Sequence, residues 1–406
     1  MNYKIAIIGL GYVGLPLASS FSKYFDVIGY DINNNRINEL KNFNDTTNEV
    51  KKKFLKKIKF TNDVNELQDC NIFIITVPTP VTKNNKPDFS FLIEASKTVG
   101  SLIKKNSTII YESTVYPGAT EEICIPILEK KSNLKFNKEF YCGYSPERID
   151  PGASQNKLEN TVKIVSGSNR KAKNIVIKLY GKIIKAGLFV ASNIKVAESA
   201  KIIENIQRDV NIALMNELSI FFDKSNIDTN EVIKAASTKW NFAKYRPGLV
   251  GGHCVSVDPY YFIHKAKKIK NNTKIISSAR YLNEKMLNYH FEKIKKFIKK
   301  IKIKRPKVLY YGLTFKENCN DIRNSKYIEL YKKLKKIYNI FPYDPIVNKK
   351  NIKLREKIDV INFNKNNYDI LIVALNHKKF TKKDIIIIRN KYLKNKNNIF
   401  YLFDKF

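Results

Sequence analysis

The run Lys4-Ile5-Ala6-Ile7-Ile8, leading straight into Gly9-Leu10-Gly11-Tyr12-Val13-Gly14, constrains this 406-residue chain more than any other feature. An apolar stretch that ends in three glycines at this spacing reads as a strand, a tight turn and the start of a helix. Gly9 permits the turn, Gly11 lets a diphosphate approach the backbone, and Gly14 allows the helix to pack closely on the strand. The helix start then offers free N–H groups and the positive end of its dipole to that diphosphate. A second apolar run ends in Tyr30-Asp31, about 20 residues further on, where a carboxylate can hold the ribose hydroxyls of an adenosine. Asp31 favours NAD over NADP, because a carboxylate repels an extra phosphate. Arg36, close by, is then expected to pack near the adenine.

Over the first half, short apolar runs alternate with amphipathic stretches, the pattern of a doubly wound parallel sheet. The strands expected are Lys4–Ile8, Val27–Tyr30, Ile72–Val77, Ser107–Tyr111, Phe140–Gly143 and Val162–Ser166. Helices are expected over Tyr12–Lys23, Phe89–Lys104 and Gly118–Lys130. From Lys195 to Phe222 neither Gly nor Pro occurs and apolar residues recur at helical spacing, which predicts one long helix. Asn230–Ala236, Pro259–Lys268 and Ile275–Lys299 read as further helices. After Arg305-Pro306 the alternation returns, with strands at Lys307–Gly312, Ile358–Ile361, Ile370–Ala374 and Ile399–Phe403 and a helix from Ser325. The fold class expected is α/β: two Rossmann-like α/β domains, 1–192 and 303–406, joined by a central helical domain, 193–302. The apolar load of that middle segment points to packing between domains or subunits, and to a homodimer at least.

The formal net charge of +37 raises nucleic acid as a partner. The lysines, however, are scattered among Asn and Ile, as in Lys293–Lys302 and Lys391–Asn398. No aromatic-interleaved basic motif or recognition-helix pattern accompanies them. Solvated faces together with a phosphate-bearing substrate explain the charge better. Cys70, Cys124, Cys142, Cys254 and Cys319 are odd in number and include no CxxC pair, which fits a reduced cytoplasmic protein. No signal peptide is expected before the first strand, and no apolar run is long enough to span a bilayer. No metal is expected either. His253 has no second ligand at metal spacing, and His264, His290 and His377 read as packing or solvent-facing residues.

Glu198, Lys201, Asn205 and Arg208 are spaced three or four apart and share one face of the long helix. Taken alone, that pattern describes a solvated face. Downstream stands Tyr245-Arg246-Pro247-Gly248-Leu249-Val250-Gly251-Gly252-His253-Cys254, followed by Val255-Ser256-Val257-Asp258-Pro259. Glycines just before a cysteine let a substrate approach the backbone and place a thiol at an exposed turn. Such a thiol becomes a nucleophile when nearby positive charge or a helix start lowers its pKa. Asp258-Pro259 predicts a helix opening, with Asp258 as its N-cap. An isolated cysteine, by contrast, is more often a buried structural residue.

Gly9 to Gly14, Ser113-Thr114-Val115-Tyr116-Pro117-Gly118, Ser145-Pro146-Glu147-Arg148, the Lys201/Asn205 helix, Gly251-Gly252-His253-Cys254 and Phe315-Lys316 with Asp321-Ile322-Arg323 occur in one order along nearly the whole chain. In that order and content the chain resembles the UDP-glucose/GDP-mannose dehydrogenase family. Tyr144 to Gly152 and Thr238-Lys239-Trp240-Asn241-Phe242 are most similar to its UDP-N-acetyl-D-glucosamine 6-dehydrogenase branch, which serves O-antigen and Vi-type capsular polysaccharide pathways. The UDP-glucose branch has Phe where this chain has Arg148 and a second acid where it has Pro151. It also commonly has Lys where this chain has Val257. UDP-glucose is therefore the less expected substrate, with UDP-N-acetylgalactosamine and UDP-N-acetylmannosamine as alternatives. A two-electron dehydrogenase and a non-catalytic basic protein are the competing readings.

The resemblance implies a four-electron oxidation at C6 of a UDP-N-acetylhexosamine, with two NAD reduced in turn and a thiohemiacetal, then a thioester, on Cys254. By the same resemblance Lys201 stabilises oxyanion character or passes a proton, and Asn205 holds the sugar. Asp258 with Thr114 positions a water or orients Lys201, and Glu147 assists thioester hydrolysis. Gly9, Gly11, Tyr12, Val13, Gly14, Asp31, Arg36, Thr79, Thr114 and Arg323 match cofactor-binding positions. Arg148, Ile149, Lys201, Asn205, Arg208, Arg246, Gly251, Phe315 and Lys316 match the UDP-sugar side. There Arg148 would contact the N-acetyl group or a phosphate, and the other cations suit a diphosphate. Arg323 would reach the cofactor across a cleft, with domain closure.

Overall fold

The computed structural model of the chain describes residues 3–47, 49–148, 158–361, 367–377 and 382–403. It forms two compact units, Met1–Glu204 with Tyr260–Asn271, and Asn205–Pro259 with Asn272–Phe406.

In the first unit the apolar runs become β1 (Lys4–Ile8), β2 (Asp26–Tyr30), β3 (Lys59–Thr61), β4 (Ile72–Ile75), β5 (Thr108–Tyr111), β6 (Tyr141–Tyr144), β7 (Lys163–Gly167) and β8 (Leu188–Val190). They pair in the order β3-β2-β1-β4-β5-β6-β7-β8. Every pairing is parallel except β6 with β7. Such strands are covered on both faces, which is why β1 and β4 are buried along their apolar lengths and lack a polar alternation. From β1 the chain steps outward to β2 and β3, then returns past β1 to β4. That reversal opens a crevice at the carboxyl ends of β1 and β4, where ligands bind in folds of this kind.

The helix expected over Tyr12–Lys23 is Gly14–Phe21, because Tyr12 and Val13 remain in the turn. The single helix expected over Gly118–Lys130 is a π-helical turn, Thr120–Cys124, running into an α-helix, Ile125–Ser132. Pro126, near the start of that α-helix, has no N–H to continue the ladder, so the hydrogen-bond register changes there. Several elements of this unit were not among those expected, including β3, β8 and the helices Asn34–Lys41 and Arg170–Ile183. β3 and β8 are too short to carry a period. The amphipathic helix Arg170–Ile183 is capped by Asn169, whose side chain accepts from the Ala172 N–H, and buries Ile175, Val176, Leu179 and Tyr180 on its sheet-facing side.

The helix Ile194–Lys224 contains the boundary between the units. The second unit adds helices Thr229–Ala236 and Lys274–Lys300 and a four-stranded parallel sheet. Its strands are β9 (Lys307–Tyr311), β10 (Asn339–Tyr343), β11 (Ile370–Val373) and β12 (Ile399–Tyr401), in the order β10-β9-β11-β12. Period-two alternation divides its core. Val308, Tyr310, Ile370 and Ile372 pack into one cluster, and Leu309, Tyr311, Leu371 and Val373 into another. Ile358–Ile361 is not a strand, contrary to expectation. The strand beside β9 is β10, whose Pro342 masked it in the sequence and is tolerated because β10 lies at the sheet edge. Ile361 instead donates its N–H to the Pro342 carbonyl at 3.0 Å. Among the described residues no helix is long and apolar enough to cross a membrane.

His290 on the helix Lys274–Lys300 is 3% exposed. It packs edge-on against Phe403, and neither ring nitrogen has a hydrogen-bond partner among the described residues. Burial pushes its pKa down to about 3, whereas an unfolded histidine titrates near about 6.5. Between those values the folded state binds fewer protons than the unfolded one. Stability is therefore lost as pH falls through that window, by at most about 1.4 kcal/mol per pH unit from this group. His290→Leu is expected to flatten the acid limb of a denaturation midpoint against pH profile. An unchanged acid limb would contradict this reading.

Candidate active site

Gly9 ends β1 with φ +94° and donates its N–H to the Tyr30 carbonyl at 2.8 Å. A Cβ at Gly14 would collide with the Gly9 carbonyl and Thr76 Oγ1, whereas a Cβ at exposed Gly11 would meet nothing within 4 Å. Packing therefore fixes Gly14, and Gly11 leaves open space in front of a helix N-terminus, a shape that fits a diphosphate. Half-buried Tyr12 and Val13 line the same turn. Asp31, at the end of β2, accepts from the Leu10 N–H through Oδ2 and from the Asn33 N–H through Oδ1, both at 2.9 Å, and so braces the turn. Arg36 is drawn onto the turn as well. Its Nε donates to the Leu10 carbonyl at 3.0 Å, while Glu39 and buried Asp45 hold the other guanidinium nitrogens at 3.2 and 2.9 Å.

The loops after β4 and β5 meet beside this turn, with Ser113 Oγ donating to the Val77 carbonyl at 2.6 Å. The Thr79 carbonyl accepts from the Tyr261 hydroxyl at 2.8 Å, and Thr114 is half-buried on the β5 side. After β6 come Glu147 and Arg148. Lys163, itself buried, sets their backbone by donating from Nζ to the Pro146 carbonyl at 3.0 Å. It also pairs with fully buried Glu112 at 2.7 Å and stands 3.9 Å from Glu147 Oε2. Tyr180 donates its hydroxyl to the other oxygen of Glu112. Burial pushes the Glu112 carboxyl up, and the Lys163 charge opposes that push. Neither Lys163 nor Glu112 was singled out from sequence. The only signal was a charged residue directly after one apolar strand run and another within a second. Arg148 is tied to the Val162 carbonyl at 2.8 Å and to Glu204 at 2.7 Å. Ile149 lies outside the described residues.

On the long helix the polar stripe is buried except at Arg208. Glu198 and Asp209 are fully buried, Lys201 is 8% and Asn205 4% exposed, and Arg208 faces solvent. The Glu198 carboxylate accepts the N–H groups of Gly118 at 2.5 Å and Thr120 at 3.0 Å. Burial pushes its pKa up to about 7. Asn205 donates Nδ2 to Asp258 Oδ2 at 2.5 Å. Asp258 is the first residue of the helix Asp258–Lys268, one position beyond the N-cap expected of it, and its N–H donates to the Cys254 carbonyl at 2.8 Å.

Two motifs some seventy residues apart in sequence are joined in the second unit. The Gly252 N–H donates to the Asn324 carbonyl at 3.1 Å, and Asn324 Nδ2 donates back to the Gly252 carbonyl at 3.2 Å. Gly252 has φ +84°, and a Cβ there would stand 2.7 Å from the Phe315 ring. At Gly251 a Cβ would stand 2.5 Å from the Asn324 carbonyl. Only glycines let this loop dock so closely. Lys316 holds Nζ 5.8 Å from the Phe315 ring centre, and Arg246 is exposed. Of the five cysteines, Cys254 alone is not buried. His253 Nδ1 lies 3.1 Å from Cys254 Sγ. His253 Nε2 lies 3.5 Å from Asp321 Oδ2, and Arg323 grips both Asp321 oxygens from Nε at 3.0 Å. No role for His253 is legible in the sequence, because a partner from a distant loop leaves no local spacing. Among the described residues no group of three or more His, Cys, Asp or Glu side chains is arranged to hold a metal ion.

Three family models match the chain. They describe the NAD binding domain of the UDP-glucose/GDP-mannose dehydrogenase family at residues 3–184, its central domain at 195–285, and its UDP binding domain at 309–402. A UDP-N-acetyl-D-glucosamine 6-dehydrogenase of Salmonella typhi is 49% identical over 93% of this chain and 90% of its own length. One of Pseudomonas aeruginosa is 48% identical over 93% and 92%. The solved structure of a UDP-D-ManNAc dehydrogenase from Pyrococcus horikoshii aligns with TM-score 0.85 and 30% identity, covering 97% of this chain and 93% of that one.

Proposed function

Because the chain belongs to the UDP-glucose/GDP-mannose dehydrogenase family, we propose that it oxidises C6 of UDP-N-acetyl-D-glucosamine to the carboxylate, with NAD as acceptor, for surface polysaccharide synthesis. The observation that carries the four-electron reading is Cys254: the one unburied thiol, at a glycine turn just ahead of a helix start. The choice of sugar rests on identities of 48–49% to UDP-N-acetyl-D-glucosamine 6-dehydrogenases against 30% to the UDP-D-ManNAc dehydrogenase structure. NAD, when bound, accepts a hydride at each of the two oxidations.

The residues divide the remaining work. Gly9, Gly11, Gly14, Tyr12 and Val13 seat the diphosphate, and Asp31, with Arg36 behind it, faces the ribose; Thr79, Thr114 and Arg323 are further cofactor contacts. Cys254 attacks the C6 aldehyde formed by the first oxidation, giving a thiohemiacetal, and loss of the second hydride leaves a thioester. Water then attacks the acyl carbon and the sulfur departs as thiolate. A thiolate both adds to a carbonyl and leaves it readily, which a serine alkoxide does not. Lys201 stabilises negative charge on the C6 oxygen, Asn205 holds the sugar, Asp258 orients Asn205 and water, and Glu147 assists hydrolysis. Arg148, Arg208, Arg246, Gly251, Phe315 and Lys316 serve the UDP-sugar. In this reading 1–192 carries the cofactor, 193–302 the catalytic helix and dimer contacts, and 303–406 the UDP-sugar. The protein works in the cytoplasm as a homodimer or larger homo-oligomer.

A comparison of kcat/KM for UDP-N-acetylglucosamine, its galacto and manno epimers and UDP-glucose tests the substrate. UDP-N-acetylglucosamine is expected to lead by roughly tenfold or more, since a misplaced hydroxyl or amide leaves polar groups of the site unpaired. Preference for an epimer would move the assignment to that sugar.

A further inference from the structure

We propose that His253 is a catalytic residue, the base that takes the proton from Cys254, and that Asp321 is its positioning residue. The proposal rests on the reading of Cys254 as the nucleophile and adds how that sulfur becomes a thiolate.

Three contacts place the imidazole. On one side Nδ1 lies 3.1 Å from Sγ; on the other Nε2, which has no hydrogen-bond partner among the described residues, faces Asp321 Oδ2 as an ion-pair contact at 3.5 Å. The Phe315 ring stands beside it, its centre 6.0 Å from that of His253 at 52°. Asp321 is 6% exposed and cannot drift. Its Oδ1 accepts from the Arg323 N–H and Nε, both at 3.0 Å, and its Oδ2 accepts from Nη2 at 2.5 Å. The loop that carries Cys254 is pinned to the same segment through Gly252 and Asn324. A nucleophile, a base within reach of it, and a third group orienting the base form the arrangement that activates thiols and hydroxyls on unrelated folds.

The charges around the ring agree. Burial alone would lower the His253 pKa, but the Asp321 carboxylate and then the Cys254 sulfur push it up to about 9, against opposition from Arg323. Lys316 is the other cation near this face, with Nζ over the Phe315 ring. Asp321 itself is held well below the usual carboxylate range despite burial, by His253 and Arg323. A permanent carboxylate therefore favours the imidazolium, and the imidazolium favours the thiolate.

The step is a proton transfer and balances as such. The Sγ–H proton moves to Nδ1, the Nε2–H stays towards Asp321, and the pair becomes thiolate and imidazolium with no change in total charge. When hydrolysis later releases the sulfur from the acyl carbon, it departs as thiolate beside the same imidazolium, so the resting pair is restored.

Alkylation by iodoacetamide across pH tests this without sugar or cofactor. The other four cysteines are buried, so the label reports Cys254, and Cys254→Ser gives the blank. In the wild type the rate is expected to reach half its maximum at least about one pH unit below the ordinary thiol value of about 8.5. His253→Ala is expected to move that midpoint up to about 8.5 or higher and to slow alkylation at neutral pH by at least about tenfold, with Asp321→Asn in between. A wild-type midpoint at the ordinary value, or a folded His253→Ala protein with the wild-type profile, would overturn the proposal. Should His253→Ala fail to fold, the ultraviolet thiolate absorbance of wild type minus Cys254→Ser, followed against pH, gives the same midpoint, and an ordinary value there overturns the proposal equally. A low midpoint in a protein that oxidises no UDP-sugar would refute the proposed function and leave the activated pair standing.

Discussion

Cys254→Ser is expected to bind the UDP-sugar and cofactor and to stop short of the carboxylate. Serine differs from cysteine by one atom at a half-exposed position, so stability should change by no more than about 0.5 kcal/mol. Chemistry should change far more. The hydroxyl is much the weaker acid, and an imidazole that takes a proton from a thiol has little driving force to take one from an alcohol. The aldehyde of the first oxidation then has no competent nucleophile, and acid formation should fall by at least about 10³-fold, as when an activated nucleophile is removed elsewhere. A stopped-flow NADH trace with mass analysis of the sugar product reads this directly. No more than one NADH per enzyme-bound sugar and no uronate are expected. Uronate formation within tenfold of the wild-type rate would exclude a covalent role for Cys254.

The second large effect lies in the fold beneath the site. Lys163→Met removes the cation that contacts fully buried Glu112, whose other oxygen accepts from Tyr180. Deleting one partner of a buried pair strands the other, and a cost of about 3–5 kcal/mol is expected. Lys163→Met with Glu112→Gln should cost clearly less than the single change, because no uncompensated charge remains. Denaturant unfolding followed on all three proteins gives the comparison. A double variant as unstable as Lys163→Met alone would mean that the lysine contributes packing rather than charge. Lys163 also holds the Pro146 carbonyl and stands 3.9 Å from Glu147, so turnover should fall with it.

Much of this was legible in the chain. The GxGxxG turn and Asp31 gave the cofactor domain because their roles are local: a turn, a close approach, a strand end. The long helix was legible because 3.6-residue periodicity without Gly or Pro has few other outcomes. The burial of its polar stripe was not, since Glu198 meets Gly118 and Thr120 and Asn205 meets Asp258, residues far away in sequence. Arg148 shows the same limit, for a cation read as a substrate contact stands in an ion pair with Glu204. Pro342 hid an edge strand, and Ile358–Ile361 imitated one, because buried apolar residues look alike in strands and in docked loops. His253 went unassigned because Asp321 comes from a loop nearly seventy residues on.

The most direct measurement is the yield of NADH from a limiting amount of UDP-N-acetylglucosamine with NAD in excess and wild-type protein. Two NADH per sugar, with the uronate as sole product, is the result expected of an alcohol carried through aldehyde and thioester to acid. One NADH per sugar, with the aldehyde or ketone as product, would contradict the four-electron reaction and make the chain a two-electron dehydrogenase.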